Sequence, residues 1–263
     1  MKNKKIHAAY HYLQYKIIAK HKKGHSIHSP FIFNFVIDVL SDSVKPNYFL
    51  ENRQHEKILL QNGSEIEIID YGAGSSFGNR SIQKIKNNAK NSATPWKYRC
   101  LLAQISNYYK PELVVELGTS MGLTTSVLAN STKHKVITVE GSESIYKVAL
   151  ANFQKWKNQN IVSINAQFDD FIATLNSNSS KTLIYIDGNH RYKSTIDYVN
   201  TLWSKIPEGS IIVIDDIYWS AEMTKAWKEI CEIAPNKYTV DLYHMGIIFK
   251  HKNCVGQHFR IRY

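Results

Sequence analysis

From Leu113 onward, short apolar runs alternate with longer stretches in which apolar residues return every three or four positions. The runs, each bounded by Gly, Asp, Asn or Ser, predict buried strands near 113–117, 135–140, 161–165, 182–187 and 210–215. The stretches between them predict helices near 122–130, 143–156, 169–175 and 192–204. Such alternation implies a mostly parallel sheet covered by helices on both faces. After a further helix near 220–232, the runs at 238–242 and 245–250 are separated by only two residues. So short a connection demands a hairpin and puts one antiparallel strand into the sheet.

The first hundred residues are less regular. Ile6, Tyr10, Leu13 and Ile17 recur at helical spacing, which predicts a helix laying that stripe on the domain with its lysines outward. Residues 24–31 read as a loop entering a second helix, with Ser29 as cap, Pro30 in the first turn, and Phe31, Phe35, Val36 and Leu40 as its stripe. His25 and His28 have no Cys or carboxylate nearby and are assigned to that loop and cap. Residues 66–75 look like a strand meeting a glycine turn at Gly72 and Gly74, but no strand ending in an acid follows. A basic helical stretch (82–90), a polar break (91–95) and another helix (98–109) come next. The expected division is a basic helical extension over 1–60, a loop-rich entrance or lid over 61–96, and the main α/β domain over 97–263.

A chain of 263 residues can bury an ample core. Its three cysteines, Cys100, Cys231 and Cys254, are widely spaced and form neither a disulfide framework nor a metal cluster, which points to a reduced cytoplasm. No apolar run approaches the roughly 18 residues of a membrane span, so a soluble protein is expected. The net charge of +11 is unevenly placed: residues 1–37 hold seven lysines, five of the eleven histidines and no acid. That segment could touch nucleic acid or a membrane surface electrostatically. Lys16 and Lys20 interrupt its apolar residues and no small-residue cleavage site follows, so it does not read as a secretory signal.

The most informative chemistry begins where the first strand of the alternating region meets its helix. Gly118 and Gly122 allow close backbone approach and unusual dihedrals, and the free amides opening the helix attract a carboxylate or phosphate. Glu140 ends the next strand, 22 positions beyond Gly118, where an acid can accept hydrogen bonds from both hydroxyls of a ribose. A nicotinamide fingerprint would place glycine at position 120, where this chain has Ser120, and Glu116 precedes the first glycine by two.

This E-x-G-x-x-x-G pattern followed by a strand-end acid resembles the first two motifs of class I S-adenosylmethionine-dependent methyltransferases. The resemblance implies a Rossmann-like, doubly wound seven-stranded sheet of order 3-2-1-4-5-7-6 with one antiparallel strand. It implies S-adenosylmethionine as cofactor, held by Glu116, Gly118, Ser120, Gly122, Thr124, Glu140 and Gly141. Gln167 and Phe168 would flank the adenine, while Asp169 also suits a helix cap.

Two more strands end in acids, at Asp187 and at Asp215-Asp216. Ligands of open parallel sheets bind beyond the carboxyl ends of the strands, so these aspartates are expected to share the crevice of the Gly118 turn. Two carboxylates about 4 Å apart repel by about 1 kcal/mol in water and about 4 kcal/mol at an effective dielectric of 20. Such a group needs a bound proton, a cationic side chain or a hard divalent cation. The spacing of 28 positions between Asp187 and Asp215 is similar to that of catechol O-methyltransferase and its relatives. In that family the matching acids bind a divalent cation, which implies Asp187, Asp215 and Asp216 as ligands of Mg2+ or another such ion. Asp187 would also serve the cofactor and the chemistry. The Asp-Gly-x-His-x-Tyr run at 187–192 resembles a bacterial branch whose members are not uniformly metal dependent.

Two positions depart from the animal enzymes. Asp216 replaces Asn, and His190 stands where a catalytic lysine is expected; a histidine, with an ordinary pKa of about 6.5, can act as general base at neutral pH. Tyr218 and Trp219 could wall a flat substrate. The resemblance covers roughly 91–250 and implies an O-methyltransferase for a small hydroxylated acceptor, aromatic ones included. An RNA-modifying enzyme of the same fold and a non-catalytic binding protein are the alternatives. Against RNA, the chain has no Asn/Asp-Pro-Pro-Tyr motif. A homodimer is left open.

Overall fold

In the computed structural model the described residues are 2–20, 24, 27–41, 46–70, 79–177, 180–232, 237–252 and 256–263. His25 and the Gly72–Gly74 turn lie outside them. In chain order the elements are α1 (Lys2–Ile18), α2 (Pro30–Asn34) continued by a wide π-type stretch (Phe35–Leu40), α3 (Asn47–Gln61), β1 (Glu65–Asp70), β2 (Asn79–Lys84), α4 (Ile85–Ser92) and α5 (Trp96–Tyr109). Then come β3 (Leu113–Leu117), α6 (Leu123–Ser131), β4 (Lys135–Glu140), α7 (Glu143–Lys155), β5 (Ile161–Asn165) and α8 (Phe168–Thr174). The chain ends with β6 (Thr182–Ile186), α9 (Tyr192–Lys205), β7 (Ile211–Asp215), α10 (Ala221–Glu232), β8 (Lys237–Asp241), β9 (Met245–Lys250) and β10 (Gln257–Arg260). Every strand and helix expected from Leu113 onward is present, with boundaries shifted by a residue or two.

The chain divides into a central unit, residues 43–174, and a flanking unit made of residues 1–42 and 175–263. In the central unit β3, β4 and β5 run parallel in the order 3-2-1 of the fold class, with Glu116 opposite Thr138 and Glu140 opposite Asn165. Val114, Val115 and Leu117 of β3 are buried, as the covered strand of a parallel sheet should be. Among the described residues of 61–96 are two strands and a helix. β1 and β2 form an antiparallel hairpin in full register from Glu65–Lys84 to Asp70–Asn79, and α4 begins at Ile85 rather than 82. Leu59, Ile68, Ile85 and Ala89 join Met121, Leu123 and Ile145 in one apolar cluster, which is what holds the hairpin.

In the flanking unit the order is β6-β7-β9-β8, the 4-5-7-6 half of the fold class, with β9 antiparallel to both β7 and β8. A further strand, β10, pairs parallel to β8, beyond the expected order. Leu183 to Ile186 and Ile211 to Ile214 are all buried, at about 1.5–3 kcal/mol for each large aliphatic side chain removed from water. α10 packs through Met223, Ala226, Trp227 and Ile230. Gly246 leaves room for that tryptophan, since a Cβ there would lie 2.5 Å from the Trp227 ring. Ser29 caps α2 as expected, its Oγ accepting from the Ile32 amide at 3.4 Å.

The orientation of α1 corrects the sequence reading. Ile6, Tyr10, Leu13 and Ile17 are exposed. The docked face is instead that of His7, His11, Tyr15 and Ala19. His7 Nε2 lies 2.9 Å from Thr224 Oγ1, the His11 ring stacks on Tyr218, and the Tyr15 hydroxyl donates to the Ile261 carbonyl. Aromatic and hydrogen-bonding partners on the unit select this face over the more aliphatic one. Among the described residues, no helix is long and apolar enough to cross a membrane.

Candidate active site

In the central unit, the turn between β3 and α6 needs positive φ at three positions: Gly118 (109°), Ser120 (49°) and Gly122 (83°). At Gly122 a Cβ would also meet the Phe153 ring at 2.4 Å, so glycine is required twice over. The Gly118 amide donates to the Val139 carbonyl at 2.9 Å, tying the turn to β4.

Two acids fix this turn in different ways. Glu116 is fully buried, and its Oε2 accepts from the hydroxyls of Thr125 on α6 and Thr138 on β4, the latter at 2.6 Å. Thr138 and Thr119 lie 2.6 Å apart, which extends the network into the turn. Glu140, at the end of β4, accepts from the Ser120 amide (3.0 Å) through Oε2 and from the Ser142 amide (3.0 Å) through Oε1.

The remaining cofactor candidates surround these acids. The Ser120 hydroxyl lies 2.8 Å from Ser92 Oγ, which brings α4 onto the turn. Thr124 is buried and donates to Thr94 at 3.0 Å, so it anchors α6. Gly141 lies beside Gln167, whose side-chain nitrogen would be 3.4 Å from a Cβ at 141; Gln167 is exposed and Phe168 half-buried. Asn165 donates to the Glu140 carbonyl at 2.7 Å and holds the two strand ends in register. The sequence reading missed Arg99, fully buried on α5, which donates to Asn52 (2.8 Å) and pairs with Glu56 (2.7 Å) while Asn52 donates to the Leu123 carbonyl (2.8 Å). Burial pushes its pKa down and Glu56 opposes that shift.

In the flanking unit the expected acids do come together. Asp215 is buried, and its carboxyl is held well above the usual carboxylate range, first by desolvation and then by the charges of Asp187 and Asp216. Tyr185, also buried, donates to Asp187 Oδ2 at 3.1 Å and hydrogen-bonds Asp215 as well. His190 Nε2 stands 3.6 Å from Asp187 Oδ1. Asp216 has φ of 53°, an uncommon left-handed conformation for a non-glycine residue, next to the buried end of β7. Such backbone strain concentrates at functional positions.

A residue outside the sequence reading completes the group. His244 lies between the aspartates, with Nε2 3.4 Å from Asp215 Oδ1 and Nδ1 3.4 Å from Asp216 Oδ1. Burial lowers its pKa, against the opposing pull of Asp216 and Asp187. The signal was in the hairpin: because β9 pairs antiparallel with β7 and Met245 faces Asp215, the residue before Met245 falls beside the residue after Asp215. Single ligand atoms of Asp215, Asp216 and His244 lie within 4.8 Å of one another, a spacing that fits one divalent cation. Asp187 is outside that triplet and couples to it by charge and through Tyr185.

Tyr218 and Trp219 differ from a shared aromatic wall. Tyr218 is buried, donates to Asp241 Oδ2 at 2.6 Å, and stacks between His11 and Tyr243 at 5.1 and 5.3 Å. Trp219 is half exposed. His28 is exposed beside the α2 cap.

Residues 115–217 match a family model described as "Methyltransferase domain". Over that segment the chain is similar to a methyltransferase domain. The matched segment contains the Gly118 turn, Glu140, Asp187, His190 and the Asp215–Asp216 pair, and ends before His244. Solved structures share the fold at low identity. The S-adenosylhomocysteine-bound methyltransferase PaMTH1 of Podospora anserina is 13% identical with a TM-score of 0.60, covering 86% of this chain and 97% of its own. The O-methyltransferase TomG of Streptomyces achromogenes, in complex with S-adenosylmethionine, is 11% identical with a TM-score of 0.54, covering 82% and 96%. An O-methyltransferase of Bacillus cereus in complex with S-adenosylhomocysteine is 15% identical with a TM-score of 0.54, covering 84% and 97%. No curated protein matches the sequence.

Proposed function

We propose that the protein is an O-methyltransferase that uses S-adenosylmethionine to methylate a hydroxyl of a small, preferably aromatic, acceptor. The observation that carries this reading is the set of acids and histidines at the ends of β6 and β7: Asp187, His190, Asp215 and Asp216, joined by His244. Methyl transfer to oxygen requires an oxygen nucleophile that has given up its proton, and these groups are suited to producing one. The O-methyltransferases of Streptomyces achromogenes and Bacillus cereus that share the fold support the same class.

When bound, S-adenosylmethionine supplies an electrophilic methyl group on a sulfonium. Glu140, braced by the Ser120 and Ser142 amides, would accept the ribose hydroxyls, and the Gly118–Gly122 turn would receive the carboxylate tail. Gly141, Gln167 and Phe168 would border the adenine. His190 accepts the acceptor's hydroxyl proton, and Asp187, 3.6 Å away, stabilises the imidazolium that results. His190 would then hold that proton until it passes to water. Asp215, Asp216 and His244 fit Mg2+ or another divalent cation, which would favour the acceptor's deprotonated oxygen.

The test is transfer of a radiolabelled methyl group to a panel of phenols and catechols beside bulk tRNA. Labelled ethers among the phenols are expected. Label confined to tRNA, or transfer to neither, would reject this reading.

A further inference from the structure

The outward face of α1 is the largest feature that methyl transfer leaves without a use. Ile6 is 67% exposed, Tyr10 57%, Leu13 64% and Ile17 80%. Their spacing of four, three and four residues puts all four within one narrow stripe. That stripe lies opposite the His7, His11 and Tyr15 face by which the helix is seated on its own unit. The seating is firm. The Tyr243 hydroxyl donates to the Ala8 carbonyl at 2.7 Å, Arg262 donates to the Lys16 carbonyl at 2.6 Å, and Lys20 exchanges backbone hydrogen bonds with Arg260 and Arg262. The helix therefore cannot turn its aliphatic stripe inward without giving up these bonds.

Charge identifies what the stripe is built to meet. Lysines stand at 2, 4, 5 and 16 in the helix and at 20, two residues beyond it, and residues 1–37 contain no acid and no arginine. A second copy of the same helix would bring lysine against lysine with no carboxylate to compensate. Single-stranded RNA is met by aromatic stacking platforms and arginine, and three of the four stripe residues are aliphatic. An apolar stripe flanked by lysines matches the boundary between acyl chains and anionic headgroups.

We propose that α1 docks the protein on an anionic lipid surface, lying in the plane of the headgroups with Ile6, Tyr10, Leu13 and Ile17 inserted and the lysines facing phosphate and carboxylate groups. The same helix presses on Tyr218 and Tyr243, the immediate chain neighbours of Trp219 and His244, so lipid contact and the acid–histidine group share one unit. This inference stands apart from the proposed reaction.

Co-sedimentation of the full chain with phosphatidylcholine vesicles, with and without phosphatidylserine, tests it. The protein should follow the phosphatidylserine vesicles, less so at high salt, and stay in solution with phosphatidylcholine alone. The triple variant I6S/L13S/I17S alters only exposed side chains, so its thermal melt should be unchanged while vesicle binding falls at least about tenfold. Leu13→Glu alone gives a second reading with a smaller perturbation. Failure to bind phosphatidylserine vesicles, or binding that the triple variant leaves intact, overturns the proposal. So does a lipid-free dimer that the triple variant dissolves, or RNA binding in its place.

Discussion

Glu116 and Asp215 are both buried carboxylates at the ends of sheet strands, and their surroundings could hardly differ more. Glu116 accepts from two threonine hydroxyls, on Thr125 and Thr138. Asp215 is pressed against Asp187 and Asp216, with Tyr185, the Asp216 amide and the His244 ring beside it. A carboxylate supplied with donors fastens one strand to the next. A carboxylate buried among its own kind keeps a standing cost, which persists where chemistry needs it.

The contrast can be broken by mutation. Asp215→Asn should cut turnover roughly a hundredfold or more, yet raise the melting temperature at neutral pH, because it removes a charge that burial disfavours. A raised carboxyl pKa contributes stability that is full below the ordinary carboxylate value and lost as pH rises through the raised one. The gain should therefore be largest at neutral and alkaline pH. Steady-state rates and thermal melts on the same sample check both halves; a variant both inactive and destabilised would deny the difference. Glu116→Ala should do the reverse, costing about 1–3 kcal/mol of stability by leaving Thr125 and Thr138 without their acceptor. Urea unfolding measures it, and an unchanged midpoint would remove the bracing role.

A smaller effect sharpens the comparison. Burial lowers the pKa of His244, so its neutral form is the one the fold prefers. That stability is present above the ordinary histidine value of about 6.5 and is lost as pH falls through the lowered one. His244→Gln should flatten the decline in melting temperature on the acid side of neutrality. If wild type and variant decline in parallel, the ring does not carry the titration. Chelation followed by magnesium add-back addresses the cation at Asp215, Asp216 and His244: activity should fall and return, and full turnover in chelator would exclude it.

The two regions were also unequally legible. β3, β4, β6 and β7 announce themselves because strands covered on both faces are nearly continuous apolar runs. β1 was legible as a strand from Ile66, but its partner β2 was not, since its polar residues form no such run and Ile82 is exposed. β10, a four-residue polar edge, was equally silent. For α1, periodicity reported a helix but not which side would dock, and His7, His11 and Tyr15 outcompeted the aliphatic stripe by bonding to named partners. His244 belongs to no motif. Only the antiparallel register of β9 against β7 puts it beside Asp216.

Everything said of the reaction depends on the β3–α6 turn and Glu140 holding the cofactor. Calorimetric titration of S-adenosylhomocysteine into the wild type and Glu140→Ala tests this directly. Loss of the acid should weaken binding roughly tenfold to a hundredfold, the range of a charge-assisted hydrogen bond pair, with the fold intact by circular dichroism. Equal affinity in the two proteins would contradict it.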